Sequence, residues 1–190
     1  MKQKPFVISI SGMPGSGKTT ISKALNECLK NSVIVSFDSY DDIYLGRDIN
    51  DWSADTHDAN EWHMEPMVGD IEELFAKPLD YIIIDYPFGY CNFQVGQYID
   101  FAVFVDIPLD MALARRIIRD YTSREEHRNK IEVSLLSVEK ELRHYLKVSR
   151  PTYMRLPETQ LKNADLVVNG TKNVDEICDE IITTYKLLIK

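Results

Sequence analysis

One nine-residue stretch, GMPGSGKTT (Gly12 to Thr20), carries the most specific chemical signal in the chain. Gly12, Gly17, Lys18 and Thr19 fit G-x-x-x-x-G-K-[ST], a pattern whose glycines let the backbone turn tightly enough for its amides to converge on phosphate oxygens. The ATP-binding set expected from it is Gly12, Gly15, Ser16, Gly17, Lys18, Thr19 and Thr20. Lys18 would reach the β and γ oxygens as a catalytic cation, and the Thr19 hydroxyl would ligate Mg2+. The apolar run FVISI (Phe6 to Ile10) precedes the motif and a helical stripe of Ile21, Ala24, Leu25, Cys28 and Leu29 follows it, the context the motif requires. The structural alternative is a Gly-rich turn that only caps a helix.

Two carboxylates stand at the ends of other apolar runs. Asp38 follows VIVSF (Val33 to Phe37), and Asp85 closes YIIID (Tyr81 to Asp85). The carboxyl ends of strands border the ligand crevice in an open α/β sheet. Asp38 is therefore the expected catalytic base, which would accept or orient the proton of an attacking hydroxyl. Asp85 is expected to join Thr19 in placing Mg2+. The competing structural roles are an N-cap for Asp38 and a turn cap for Asp85, ahead of Tyr86 and Pro87.

Cationic side chains follow. In MALARRIIRDY (Met111 to Tyr121), a step of about 100° per residue sets Arg115, Arg116 and Arg119 in one arc, opposite Leu113, Ala114, Ile117, Ile118 and Tyr121. This pattern predicts a core face and a cationic face. Arg124 and Arg128 come next in the polar TSREEHRNK. The segment from about residue 115 to 132 reads as a short lid that closes over phosphates, with Arg115 and Arg124 among its cations. A solvated charged face is the plainer alternative. Aromatic residues crowd two loops, Tyr40 to Trp62 and YPFGYCNF with Tyr86, Phe88, Tyr90 and Phe93. They suit the walls of an acceptor pocket, with Tyr40 and Tyr86 as substrate-binding candidates, or else they pack the loops onto the core.

Short apolar runs must position these groups. FVISI, VIVSF, YIIID, FAVFVD (Phe101 to Asp106) and ADLVV (Ala164 to Val168) have the length and β-branched content of buried parallel strands. Amphipathic helices alternate with them. Leu135, Val138, Leu142 and Tyr145 form one stripe; Val174, Ile177, Cys178, Ile181, Ile182 and Tyr185 form another, opened by Asn173 with Glu176 three residues on. The expected fold is a three-layer α/β P-loop NTPase domain spanning residues 1–190, with a five-stranded, mostly parallel sheet flanked by helices and a short helical lid.

Composition narrows the classes. The chain has 190 residues and a formal charge of −8, against a broad nucleic-acid footprint. No apolar stretch reaches the ~18 residues of a membrane span, and no signal peptide is evident, so a cytoplasmic protein is expected. Cys28, Cys91 and Cys178 match no metal or redox spacing. Length argues against AAA-type ATPases and motors. Asn129-Lys130-Ile131-Glu132 fails as a guanine reader. A small phosphotransferase using ATP and Mg2+ on a small-molecule hydroxyl remains, with a regulatory nucleotide-binding module lacking turnover as the alternative. Its amphipathic helices can be covered within one chain or in a homo-oligomer.

GMPGSGKTT, Asp38-Ser39-Tyr40, HDANEW (His57 to Trp62), FVDIPLDMALARRIIRD and RPTYM…ADLVVNG together resemble the uridine kinase and phosphoribulokinase group of P-loop kinases, in order along nearly the whole chain. The resemblance implies that Asp38 is the catalytic aspartate, that Arg116 and Arg119 are catalytic lid arginines, and that Asn169 to Asn173 lies near the ATP base. Through HDANEW it adds His57 and Trp62 to the substrate-binding set. It implies a nucleoside acceptor, with another riboside, pantothenate or a sugar phosphate as alternatives. Three departures bear on the acceptor. IEELFAKPLD runs straight into YIIID, with no room for the family's Tyr- and His-bearing hairpin; Asp85-Tyr86 replaces the usual Glu-Gly; and the lid lacks R-G-R.

Overall fold

Five parallel strands form the central sheet in the order β2-β5-β1-β6-β7. The structure, a computed structural model, describes residues 4–55, 57–122 and 131–188. Its elements run β1 (Phe6–Ser11), α1 (Lys18–Cys28), β2 (Ser32–Ser36), β3 (Tyr44–Leu45), α2 (Ile49–Ala54), β4 (Trp62–His63), α3 (Glu65–Leu74), β5 (Tyr81–Asp85), α4 (Phe93–Gly96), β6 (Phe101–Asp106), α5 (Leu109–Ile117), α6 (Ile131–His144), α7 (Arg150–Asn163), β7 (Leu166–Asn169) and α8 (Val174–Leu188). The five runs expected as strands are the five strands of this sheet.

Side-chain alternation sends the strands' apolar residues into two cores. Val7, Ile82, Ile84 and Ala102 face α3, through Met67 and Ile71, and a group of loop aromatics. Ile8, Ile10, Ile83, Phe101 and Val103 face α1 and α8, through Ile21, Leu25, Ile177 and Ile181. Both faces are covered, so the strands read as continuous apolar runs. Each fully buried isoleucine contributes roughly 1.5–3 kcal/mol of transfer free energy. The α8 start follows from its sequence, since the Asn173 side chain accepts the Asp175 amide at 2.9 Å.

Two helical expectations are corrected. On α5 the buried residue is Ala112, while Ala114 and Ile118 are exposed. Arg115, Arg116 and Arg119 lie three, four and seven positions beyond Ala112, so the cationic arc lines the open phosphate cavity while part of the apolar arc faces solvent. The reason is a tertiary contact: Ala112 packs beneath the phosphate loop, and that contact sets the helix phase. The α6 stripe is also largely uncovered, with Leu135 67% exposed and only Tyr145 of the four residues buried. Five-residue π-helical turns at Ile118–Thr122 and Tyr145–Ser149 shift the phase of these helices, which uniform periodicity cannot anticipate. Arg124 and Arg128 lie outside the described residues.

Candidate active site

Sheet register brings the chemistry to one edge. Asp85 pairs with Ile10 on one side and Ser36 on the other, so the carboxyl ends of β1, β2 and β5 are level. The chain leaves β1 into Gly12–Gly17 and leaves β2 into a 3-10 turn at Phe37–Ser39 that holds Asp38. A cavity of about 750 Å³ opens there, lined by Lys18, Thr19, Asp38, Asp85, Arg116 and Arg119 among others. Gly15, Gly17, Thr20, Arg115 and Tyr86 also reach it. Residues from four separate stretches thus meet where ligands bind in open α/β folds.

The phosphate loop has the backbone its motif requires. Gly12, Gly15 and Gly17 have φ of 143°, 87° and 99°. Gly17 leads directly into α1, whose first-turn amides have no partner within the helix and face the cavity. The Ser16 hydroxyl is buried without a hydrogen-bond partner among the described residues. Lys18 donates to the Met13 carbonyl at 3.2 Å. Burial pushes its ammonium below the usual lysine range, while the Asp85 and Asp38 carboxylates pull it back up. The loop is a cationic cradle without an anion of its own.

Asp85 is 4% exposed, and burial raises its pKa above the usual range against the opposing effects of the Thr19 hydroxyl, which donates to it, and of Lys18. One buried carboxylate beside one hydroxyl is a hard oxygen pair that fits Mg2+, an ion that keeps several waters and takes its other ligands from nucleotide phosphates. No cluster of three His, Cys, Asp or Glu among the described residues offers an all-protein metal site, and this chemistry needs none. Asp38 lies close enough for its charge to act on Lys18, Asp85 and Arg119.

The arginines are held by carboxylates. Arg119 makes a two-pronged contact with Asp120, Nε to Oδ1 at 2.7 Å and Nη2 to Oδ2 at 3.1 Å. Arg116 reaches Glu141 at 2.8 Å and Asp120 at 3.7 Å. Arg115 instead donates to the Gly170 carbonyl at 3.1 Å, tying α5 to the Asn169–Asn173 loop. Asp120, Phe37 and Tyr153 line the same cavity and were not singled out from the sequence. The signal available for Asp120 was its place directly after Arg119 on the cationic helix.

The aromatic candidates divide. Tyr40 donates to Asp70 at 2.6 Å and borders a separate groove along β2, away from the phosphate cavity. Tyr86 is fully buried, its hydroxyl donating to the Gly89 carbonyl, so only its ring contributes to the cavity wall. Trp62 packs edge-on against Phe37 and Trp52, with centroids 5.6 and 6.0 Å away. His57, at φ 52°, tilts against Trp52 at 5.6 Å. His57 Nε2 and Trp62 Nε1 are buried without hydrogen-bond partners among the described residues. Phe37 touches both this cluster and the phosphate cavity, which makes the cluster a neighbouring wall.

Fold and site together define the class, a three-layer α/β P-loop NTPase. A family model described as AAA domain matches residues 8–136, and the chain belongs to that family. Uridine kinase from Borrelia duttonii is 26% identical over 207 positions, covering 97% of this chain and 96% of the relative. Uridine kinase from Lactiplantibacillus plantarum is 27% identical over 217 positions, covering 96% and 94%. Both alignments are longer than this chain, so both relatives carry segments without a counterpart here. The solved structure of APE1195 superposes with a TM-score of 0.54 at 16% identity, covering 100% of this chain and 99% of the other. Along nearly its whole length the chain is thus similar to P-loop kinases of the uridine kinase type.

Proposed function

We propose that the protein transfers the γ-phosphate of ATP, with Mg2+, to a hydroxyl of a small nucleoside-like metabolite. The observation that carries this reading is the meeting of the phosphate loop, Asp38, Asp85 and Arg119 around one cavity. Lys18 and the loop amides hold the β and γ phosphates, and Asp38 orients the acceptor hydroxyl and takes its proton. Arg116 and Arg119 face the transferred group from α5, where the phosphoryl oxygens compete with Asp120 for their donors. Thr19 and Asp85 would hold Mg2+, which supplies neutralising charge across the phosphates. Phe37, which lines the cavity and packs edge-on against Trp62, suits a flat ring on the acceptor side.

A second reading concerns the acceptor. Helix α3 ends at Leu74 and β5 begins at Tyr81, leaving six intervening residues and no strand pair between them. The short antiparallel pair of this chain lies before α3 instead, with Tyr44 opposite His63 and their rings stacked at 4.4 Å. That difference favours a riboside or related metabolite other than uridine. The test is ADP release with MgATP across nucleosides, ribosides, pantothenate and phosphosugars, on wild type and Asp38→Asn. Acceptor-dependent turnover that the Asn variant loses by about 10² to 10⁴ supports the kinase and identifies its acceptor. Tight MgATP binding without turnover on any acceptor would favour the regulatory module.

A further inference from the structure

A second cavity, also of about 750 Å³, shares no lining residue with the phosphate cavity. It lies between α2, which contributes Asn50 and Ser53, and the end of α6 with the start of α7, which contribute Arg143, Lys147 and Arg155. Val148 and Pro151 supply an apolar wall, and His144 completes the rim. Three permanent cations converge on this space in a chain whose formal charge is −8. Arg143 is partly answered by Glu139 at 2.7 Å. Lys147 and Arg155 make no hydrogen bond or ion pair among the described residues, and the Arg155 charge is felt as far as His57.

Like charges lining one concave space repel each other, and the repulsion is relieved when an anion enters. The neighbouring Asn50 side-chain amide can donate to phosphate oxygens, and the apolar wall can cover a carbon skeleton. We propose that this cavity binds a small phosphorylated metabolite at a site distinct from the phosphate loop. Helix α7 connects the two places. Pro151 and Arg155 face the second cavity, whereas Tyr153, from the opposite side of the helix, lines the phosphate cavity. Thr152, 4% exposed, anchors the helix by a hydroxyl contact to Ser53 on α2. An anion that draws α2 and α7 together therefore acts on the helix that carries Tyr153.

The direct test is calorimetric titration of inorganic pyrophosphate into Lys18→Ala protein, whose phosphate loop is disabled, with tryptophan emission as a second signal because Trp52 adjoins Ser53. One binding event is expected to remain. Adding Lys147→Ala with Arg155→Ala should weaken it by about tenfold or more, since each removes a charge-assisted contact, while Arg155→Lys alone retains most of the affinity. Absence of binding to Lys18→Ala protein, or an affinity that the double substitution leaves unchanged, overturns the proposal. Turnover then separates the sources of the anion, an arm that rests on the kinase reading where the calorimetric arm does not. In an otherwise wild-type chain, a higher KM for the acceptor at unchanged kcat makes the anion part of the acceptor. An unchanged KM with lost sensitivity to added phosphate ester makes it a separate effector.

Discussion

Alanine in place of Gly15 tests how tightly the phosphate loop is seated on α5. A Cβ at this position would lie 2.2 Å from the Ala112 carbonyl oxygen and 3.0 Å from its carbon, both backbone atoms. The loop and the helix would have to separate by more than about 1 Å to reach ordinary contact. Gly15 also sits at φ 87°, where a side chain costs about 1–2 kcal/mol. With about 1–3 kcal/mol for the forced repacking, Gly15→Ala should lose about 2–5 kcal/mol, a large part of a typical domain's stability. Two further alanines calibrate the result. Gly17 has the same type of backbone, φ 99°, but its nearest atom is the end of the Arg115 side chain at 3.9 Å, so Gly17→Ala should lose only the strain of about 1–2 kcal/mol. Gly69, inside α3 with nothing within 4 Å, should gain about 0.5–1 kcal/mol as alanine. Urea midpoints at constant m give the three values. Equal losses at Gly15 and Gly17 would refute the seating of the loop against Ala112.

Burial raises the Asp85 pKa, so the folded state holds that proton more tightly; the contribution is favourable below the ordinary 3.8 and is lost as pH rises through the raised value. Without nucleotide or Mg2+, Asp85→Asn should therefore melt above wild type at neutral pH and lose that advantage toward about pH 4, and a difference constant with pH would contradict this. Tyr40→Phe removes a hydroxyl bonded to Asp70 outside the phosphate cavity; stability should fall by about 0.5–1.5 kcal/mol in urea melts while turnover stays near wild type. A Cβ on Gly170 would lie 2.9 Å from Val105 Cγ1 and 3.1 Å from the Asp106 carbonyl oxygen. Gly170→Ala should cost about 1–3 kcal/mol and, by shifting the carbonyl that holds Arg115, raise the KM for ATP.

Much of this architecture is legible because its signals are local. The strands at Tyr81–Asp85 and Phe101–Asp106 have the bounds their apolar runs suggest, and the phosphate loop lies between strand and helix as its motif requires. The α5 phase was not legible, since it is set by Ala112 meeting Gly15, a contact between residues 97 positions apart in the chain. Amphipathic analysis assigns arginines outward and apolar residues inward; a ligand cavity reverses that rule by giving cations an inward destination. The second cavity was equally hidden. Its residues come from α2, α6 and α7, and nothing in their spacing marks Asn50 and Arg155 as neighbours.

The same reversal explains the charge state of the site. Burial acts against both groups proposed to grip the nucleotide, pushing Lys18 down and Asp85 up, and neither shift is cancelled by the other's charge. A site optimised only for folding would neutralise or remove these groups. Here Arg116 and Arg119 are paired with Glu141 and Asp120, carboxylates that a phosphate could replace. Lys18, beneath the loop, has only the Met13 carbonyl as its hydrogen-bond partner among the described residues. A magnesium nucleotide would supply an anion to Lys18 and a cation to Asp85 in one event, relieving both burial costs together. On the proposed function, the unfavourable state of the resting site would become part of the free energy that selects a metal-bound triphosphate over either component alone.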